Sequence, residues 1–165
     1  MYRRSTRAIS LTDLPASMSD HLARHAAERQ LELGGARAWI TRSENPPGTG
    51  LLARALGRRA NPVDPDAEHH TAVLLHSTHL VVVTQGEKRG VSALSLPLAQ
   101  ASVTRGSAIA AKFGVASEDS GITVSGFPGE AGRPGTYFVG LGADASGAEC
   151  AAAIEAAIVA AKNPR

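Results

Sequence analysis

Apolar residues recur at helical spacing over residues 14–33, where Leu14, Met18, Leu22, Ala26 and Leu33 fall on one face. This periodicity predicts a helix, with Thr12 or Asp13 placed to cap its start and Gly34-Gly35 to stop it. Next, Ala36-Arg37-Ala38-Trp39-Ile40-Thr41-Arg42 reads as a short strand ended by the turn residues Asn45-Pro46-Pro47-Gly48. A second, shorter helix is expected over 49–59. Leu51, Leu52, Ala55 and Leu56 lie to one side of it, and Arg54, Arg58 and Arg59 mostly to the other. Pro62 and Pro65 make 61–66 a loop.

From His69 onward the pattern changes to strands. Residues 71–76 and 79–84 are β-rich runs separated only by Ser77-Thr78, the signature of a tight hairpin. A turn over 85–90 leads to a further strand over 91–96, and shorter runs follow at 101–104 and 121–127. A Gly- and Pro-containing stretch, 126–135, reads as a hairpin loop before the last strand, 136–141. The final helix spans 146–162 and places Cys150, Ile154, Ile158 and Ala161 on one face. The fold class is therefore α+β, led by antiparallel β, with the terminal helix closing an open end of a curled sheet.

Composition narrows the chemistry. One cysteine among 165 residues excludes an intramolecular disulfide and a zinc site of several thiolates. The net charge of +2 is small for a dedicated nucleic-acid binder, so no nucleic acid is expected as a partner. The charge is unevenly spread: ten arginines and five acids stand before residue 61, and seven cations and ten acids after it. An Arg-rich region beside a mildly acidic body suits an acidic partner or an anionic surface. No secretory signal or membrane-spanning run is recognised, and a cytoplasmic location is the expectation.

Candidate motifs resolve mostly to structure. His70 and His76 share strand parity but are six residues apart, roughly 20 Å along an extended chain, too far to share a metal. His76 and His79 straddle the hairpin turn without a nearby carboxylate or thiol, so no metal is expected. The run Gly140-Leu141-Gly142 to Gly147 has the spacing GxGxxxxG and no downstream parallel strand, so it reads as a turn capped by Asp144 or Ser146. Neither a P-loop, a GxSxG elbow nor an HExxH helix is present, and no cofactor is expected. Cys150 belongs to the buried helix face, where a free thiol acts as a small hydrophobe.

The order of elements resembles bacterial pleckstrin-homology-like domains. The resemblance rests on Val73-Leu74-Leu75, His79-Leu80-Val81-Val82-Val83, the basic turn Lys88-Arg89, Leu96-Pro97-Leu98 and Val103, and covers about 36–162. It implies a seven-stranded, strongly bent sheet or partly open barrel capped by one helix and used as a binding scaffold. In this division 1–35 is an N-terminal helical extension and 36–165 the pleckstrin-homology-like domain. Some relatives in the wider family bind phosphoinositides through cations between the first two strands. That implies a ligand surface of Arg54, Arg58 and Arg59, with Lys88 and Arg89 beside it. The expected function is a non-catalytic interaction module for a protein partner or a second copy of the chain, or weakly for an anionic membrane surface. The alternative is a small hydrolase or transferase whose site assembles only in three dimensions.

Overall fold

The computed structural model describes residues 2–48, 57, 59–106, 120–129 and 133–163. Strand β1 (Arg3–Ile9) is followed by a 3-10 turn, Leu11–Asp13, and by helix α1 (Ala16–Arg29). Then come β2 (Arg37–Glu44), β3 (Glu68–Leu75), β4 (His79–Gly86) and β5 (Gly90–Pro97). A second 3-10 turn, Leu98–Gln100, leads to β6 (Ser102–Arg105), β7 (Gly121–Pro128), β8 (Pro134–Gly140) and helix α2 (Ala145–Lys162). Strands β1 to β5 form a five-stranded antiparallel meander, and β6 to β8 a three-stranded one. Among the described residues neither sheet closes on itself, and the class is α+β with mainly antiparallel sheets.

The near-continuous apolar runs of β3 and β4 have a simple cause: both of their faces are covered. Val73, Leu75, Leu80 and Val82 point into a core shared with the second sheet and α2, where Trp39, Phe127, Val139, Cys150, Ile154 and Ile158 meet them. Ala72, Leu74, Val81 and Val83 point the other way, onto Leu14, Met18 and Leu22 of the α1 side. The molecule is thus layered, with α1, the five-stranded sheet, and the three-stranded sheet with α2 in succession.

Several local outcomes differ from the sequence reading. The sequence pattern predicts no strand over residues 3–9; they pair with β2 from Arg3↔Glu44 to Ile9↔Ala38 and so belong to the sheet. Helix α1 stops at Arg29 rather than at the glycine pair, because Gln30 turns left-handed (φ 54°) and its N–H caps back to Ala26 O. Pro15 holds its N-cap position, while Asp13 instead accepts the Ser10 N–H at 3.1 Å in the preceding turn. Eight strands are present among the described residues, against the seven that the resemblance implies. At the other end of the chain Asp144 caps α2, accepting Gly147 N–H at 2.8 Å.

Candidate functional site

At one level across the five-stranded sheet the inward-facing residues change from apolar to polar. Trp39 gives way to Thr41 and Ser43 on β2, Val73 to Thr71 and His69 on β3, and Val82 to Thr84 on β4, and the register aligns these positions. Hydroxyls there pair with one another: Thr6 with Thr41 at 2.8 Å and Thr84 with Ser92 at 2.7 Å. This polar end opens as a cleft of about 470 Å³ between the two sheets. Tyr2, Arg4, Ser43, Asp64, His69, Arg89 and Tyr137 are among the residues that line it.

The rim is fixed by a clamp between the β2–β3 connection and the β4–β5 turn. Asp66, whose side chain is fully buried, accepts the Lys88 backbone N–H and Arg89 Nε–H, each at 2.6 Å. Asp64 accepts from Arg89 Nη2, from the Asp66 N–H at 3.0 Å and from the Tyr2 hydroxyl at 2.5 Å. The base of the connection is zipped by Asn45, whose side-chain amide donates to Asn61 O at 2.8 Å and accepts Asn61 N–H at 2.9 Å. Arg59 Nη1 donates to Asn45 O at 3.1 Å, beside the Pro47↔Arg59 bridge. A buried carboxylate that takes two charge-assisted or backbone donors is the strong form of such an anchor.

Charge states follow from this packing. Burial pushes the Asp66 carboxyl up, but the Lys88 N–H and the Arg89 guanidinium outweigh it and hold it below the usual carboxylate range. For Asp64 burial is likewise overcome, here by donors from Tyr2, Asp66 and Arg89, and its carboxyl too is held low. Burial and the Asp64 carboxylate push the Tyr2 phenol up to about 12. Burial, helped by Arg89, lowers the His69 imidazole, so it is held neutral. His69 Nδ1 lies 3.3 Å from Asp64 Oδ2 without the geometry of a hydrogen bond. The Arg4 guanidinium lies over the Tyr2 ring, 4.5 Å from its centroid.

Of the basic residues singled out from the sequence, Arg59 on one loop and Lys88 and Arg89 on another are brought to this same end. Arg89 is engaged by two carboxylates, whereas Arg59 and Lys88 are exposed and have no carboxylate partner among the described residues. Arg54 and Arg58 lie outside the described residues, as does the helix expected over 49–59 apart from Gly57 and Arg59. Sequence reasoning missed Tyr2, Arg4, Asp64 and Asp66. The one available signal was the Asp-Pro-Asp spacing of the loop, which puts two carboxylates on one side of an extended turn.

The remaining candidates are structural in setting. His76 and His79 each approach Thr78 Oγ1, at 3.0 and 2.8 Å, within the hairpin. Among the described residues no cluster of three or more His, Cys, Asp or Glu is placed to hold a metal ion. Cys150 is fully buried and its thiol is pushed up to about 12 by burial. Among the described residues no helix is long and apolar enough to cross a membrane. No family model matches the chain, and comparison with curated proteins and with solved structures returns no match either.

Proposed function

We propose that the protein is a non-catalytic binding module of pleckstrin-homology-like architecture that engages an acidic protein partner at the rim of its polar cleft. The observation that carries this reading is the clamp: buried Asp66 joins the loop bearing Arg59 to the turn bearing Lys88 and Arg89. Two exposed cations are thereby presented from a rigid edge, and pre-ordering lowers the entropy cost of binding. A sheet followed by a C-terminal helix agrees with the architecture in general.

The imidazoles support a binding role over a catalytic one. His69 sits beside Asp64 without a hydrogen bond, and Asp64 is occupied by Tyr2 and Arg89. His25 Nε2 and Ser95 Oγ are 2.9 Å apart, but the pair is buried between α1 and β5. Among the described residues no carboxylate is hydrogen-bonded to His25, as the orienting partner of a triad would be.

A second reading, weak contact with an anionic membrane, rests on Val63, which is 88% exposed on the same rim. One valine adds little apolar area, so any such binding depends on charge. Both readings are tested by titrating isotope-labelled protein with hexaglutamate and, separately, with anionic and neutral vesicles. Under the partner reading, hexaglutamate perturbs the amides of Arg59, Lys88 and Arg89, salt weakens the effect, and Arg59→Gln/Lys88→Gln reduces affinity about fivefold or more. Perturbation by vesicles alone moves the assignment to a membrane surface. No perturbation at these amides with either probe overturns the rim as a binding surface.

A further inference from the structure

The opposite end of β4 and β5 carries a second cleft, of about 510 Å³, well away from the clamped rim. It runs between the segment that leaves α1 and the ends of β7 and β8. Leu31, Leu96, Pro97, Phe127 and Pro134 supply its apolar walls. At Gly126 (φ +116°), which lines it, the backbone crosses closely: an added Cβ would stand 2.5 Å from Gln100 O. The volume lies within the range of small-molecule sites.

Among the described residues its formal charges are of one sign: Arg29 stands on the α1 side and Arg133 on the side of the three-stranded sheet, and no described acidic residue lines the cleft. Both arginines are exposed, and neither has a carboxylate partner among the described residues. By contrast, Arg42 is answered by Glu44 and Glu68, and Arg89 by Asp64 and Asp66. Two unanswered guanidinium groups above apolar walls match a ligand with one anionic head and an apolar body.

We propose that this cleft binds a small amphipathic carboxylate of fatty-acid type, its head between Arg29 and Arg133 and its chain along Leu31, Pro97 and Pro134. The site is independent of the rim: it shares no residue with the polar cleft. The test is titration of the full chain with decanoate, followed by isotope-resolved spectra and calorimetry. Decanol serves as the uncharged control and acetate as the tailless one.

Decanoate is expected to saturate a single site, to perturb the Leu31 amide and those of Leu96 and Phe127 beneath it, and to bind at least tenfold more tightly than either control. In Arg29→Gln/Arg133→Gln that preference for decanoate over decanol disappears while the melting temperature stays within two degrees or so. Because both side chains are exposed, the variant tests the ligand contact rather than the fold. Equal binding of decanoate and decanol to the native protein overturns the proposal, as does decanoate binding that the double variant leaves unchanged. Absence of saturable decanoate binding overturns it outright.

Discussion

Asp66 Oδ2 accepts Arg89 Nε–H at 2.6 Å from a position wholly shut off from solvent, so one buried carboxylate ties two loops that are far apart in sequence. Replacing it by alanine leaves the Lys88 N–H and one face of the Arg89 guanidinium without their partner. Asp66→Ala is expected to cost about 3 kcal/mol of folding stability, the range for breaking one side of a buried ion pair. Urea unfolding monitored at Trp39 measures it, and a loss below ~1 kcal/mol would show the clamp to be ornamental.

The same carboxylates set the acid limit of stability. Asp64 and Asp66 titrate lower in the folded chain than their ordinary value of 3.8, so the stability they add is complete above that value. It is lost as the pH falls below it and through their folded-state values. Melting temperature is therefore expected to drop steeply below about pH 4, and less steeply in Asp66→Ala than in the parent protein. Parallel curves for the two proteins would contradict the role of Asp66.

Tyrosine ionisation gives an optical check of the cleft. The chain has only two tyrosines, Tyr2 and Tyr137. Burial and the Asp64 carboxylate raise Tyr2 to about 12, and burial also raises Tyr137. The folded protein should show little tyrosinate absorbance at the ordinary pKa of about 10, and most of it should appear together with unfolding. Since the protonated phenols are favoured by the fold, their stabilisation is full below that value and fades as the pH rises. In Asp64→Asn the Tyr2 signal moves towards the ordinary value. A native spectrum half-titrated at pH 10 would reject the buried Tyr2–Asp64 bond.

Helix α2 offers a contrast between neighbouring turns. Ile154 is fully buried in the core that joins the two sheets, whereas Val159 is 61% exposed. Ile154→Ala should cost about 3–4 kcal/mol through lost burial and the cavity left behind. Val159→Ala should change stability by less than about 0.5 kcal/mol. Thermal unfolding of the two variants side by side decides whether α2 docks by this face.

Much of the architecture is legible from residue patterns because the patterns have local causes. The turn at Ser77-Thr78 leaves no choice but a hairpin, and Leu75↔Leu80 pairs as that loop length requires. The Cys150/Ile154/Ile158 stripe similarly identifies the buried side of α2. What was not legible is what depends on distant partners. Arg3–Ile9 is too polar to read as a strand, yet pairing with β2 along its whole length makes it one. The runs of β3 and β4 read as hairpin strands, but the pattern does not show that both of their faces are buried or that α1 supplies one of the covers. The cleft was harder still: Tyr2 and Asp64 are chemically unremarkable in sequence and meet Arg89 only when the loops fold back.

The outer edge of β1 has a consequence for the order in which the chain can mature. Thr6 N–H is received by Asp144 Oδ2 at 2.8 Å, and Gly142 N–H is received by Thr6 Oγ1 at 2.7 Å. A ribosome makes β1 long before it makes Asp144. Until the loop between β8 and α2 has emerged, the first strand carries an open flank able to pair with a neighbouring nascent chain. The last loop therefore acts as a late latch, and polysomes translating this message are where mispairing between copies would begin.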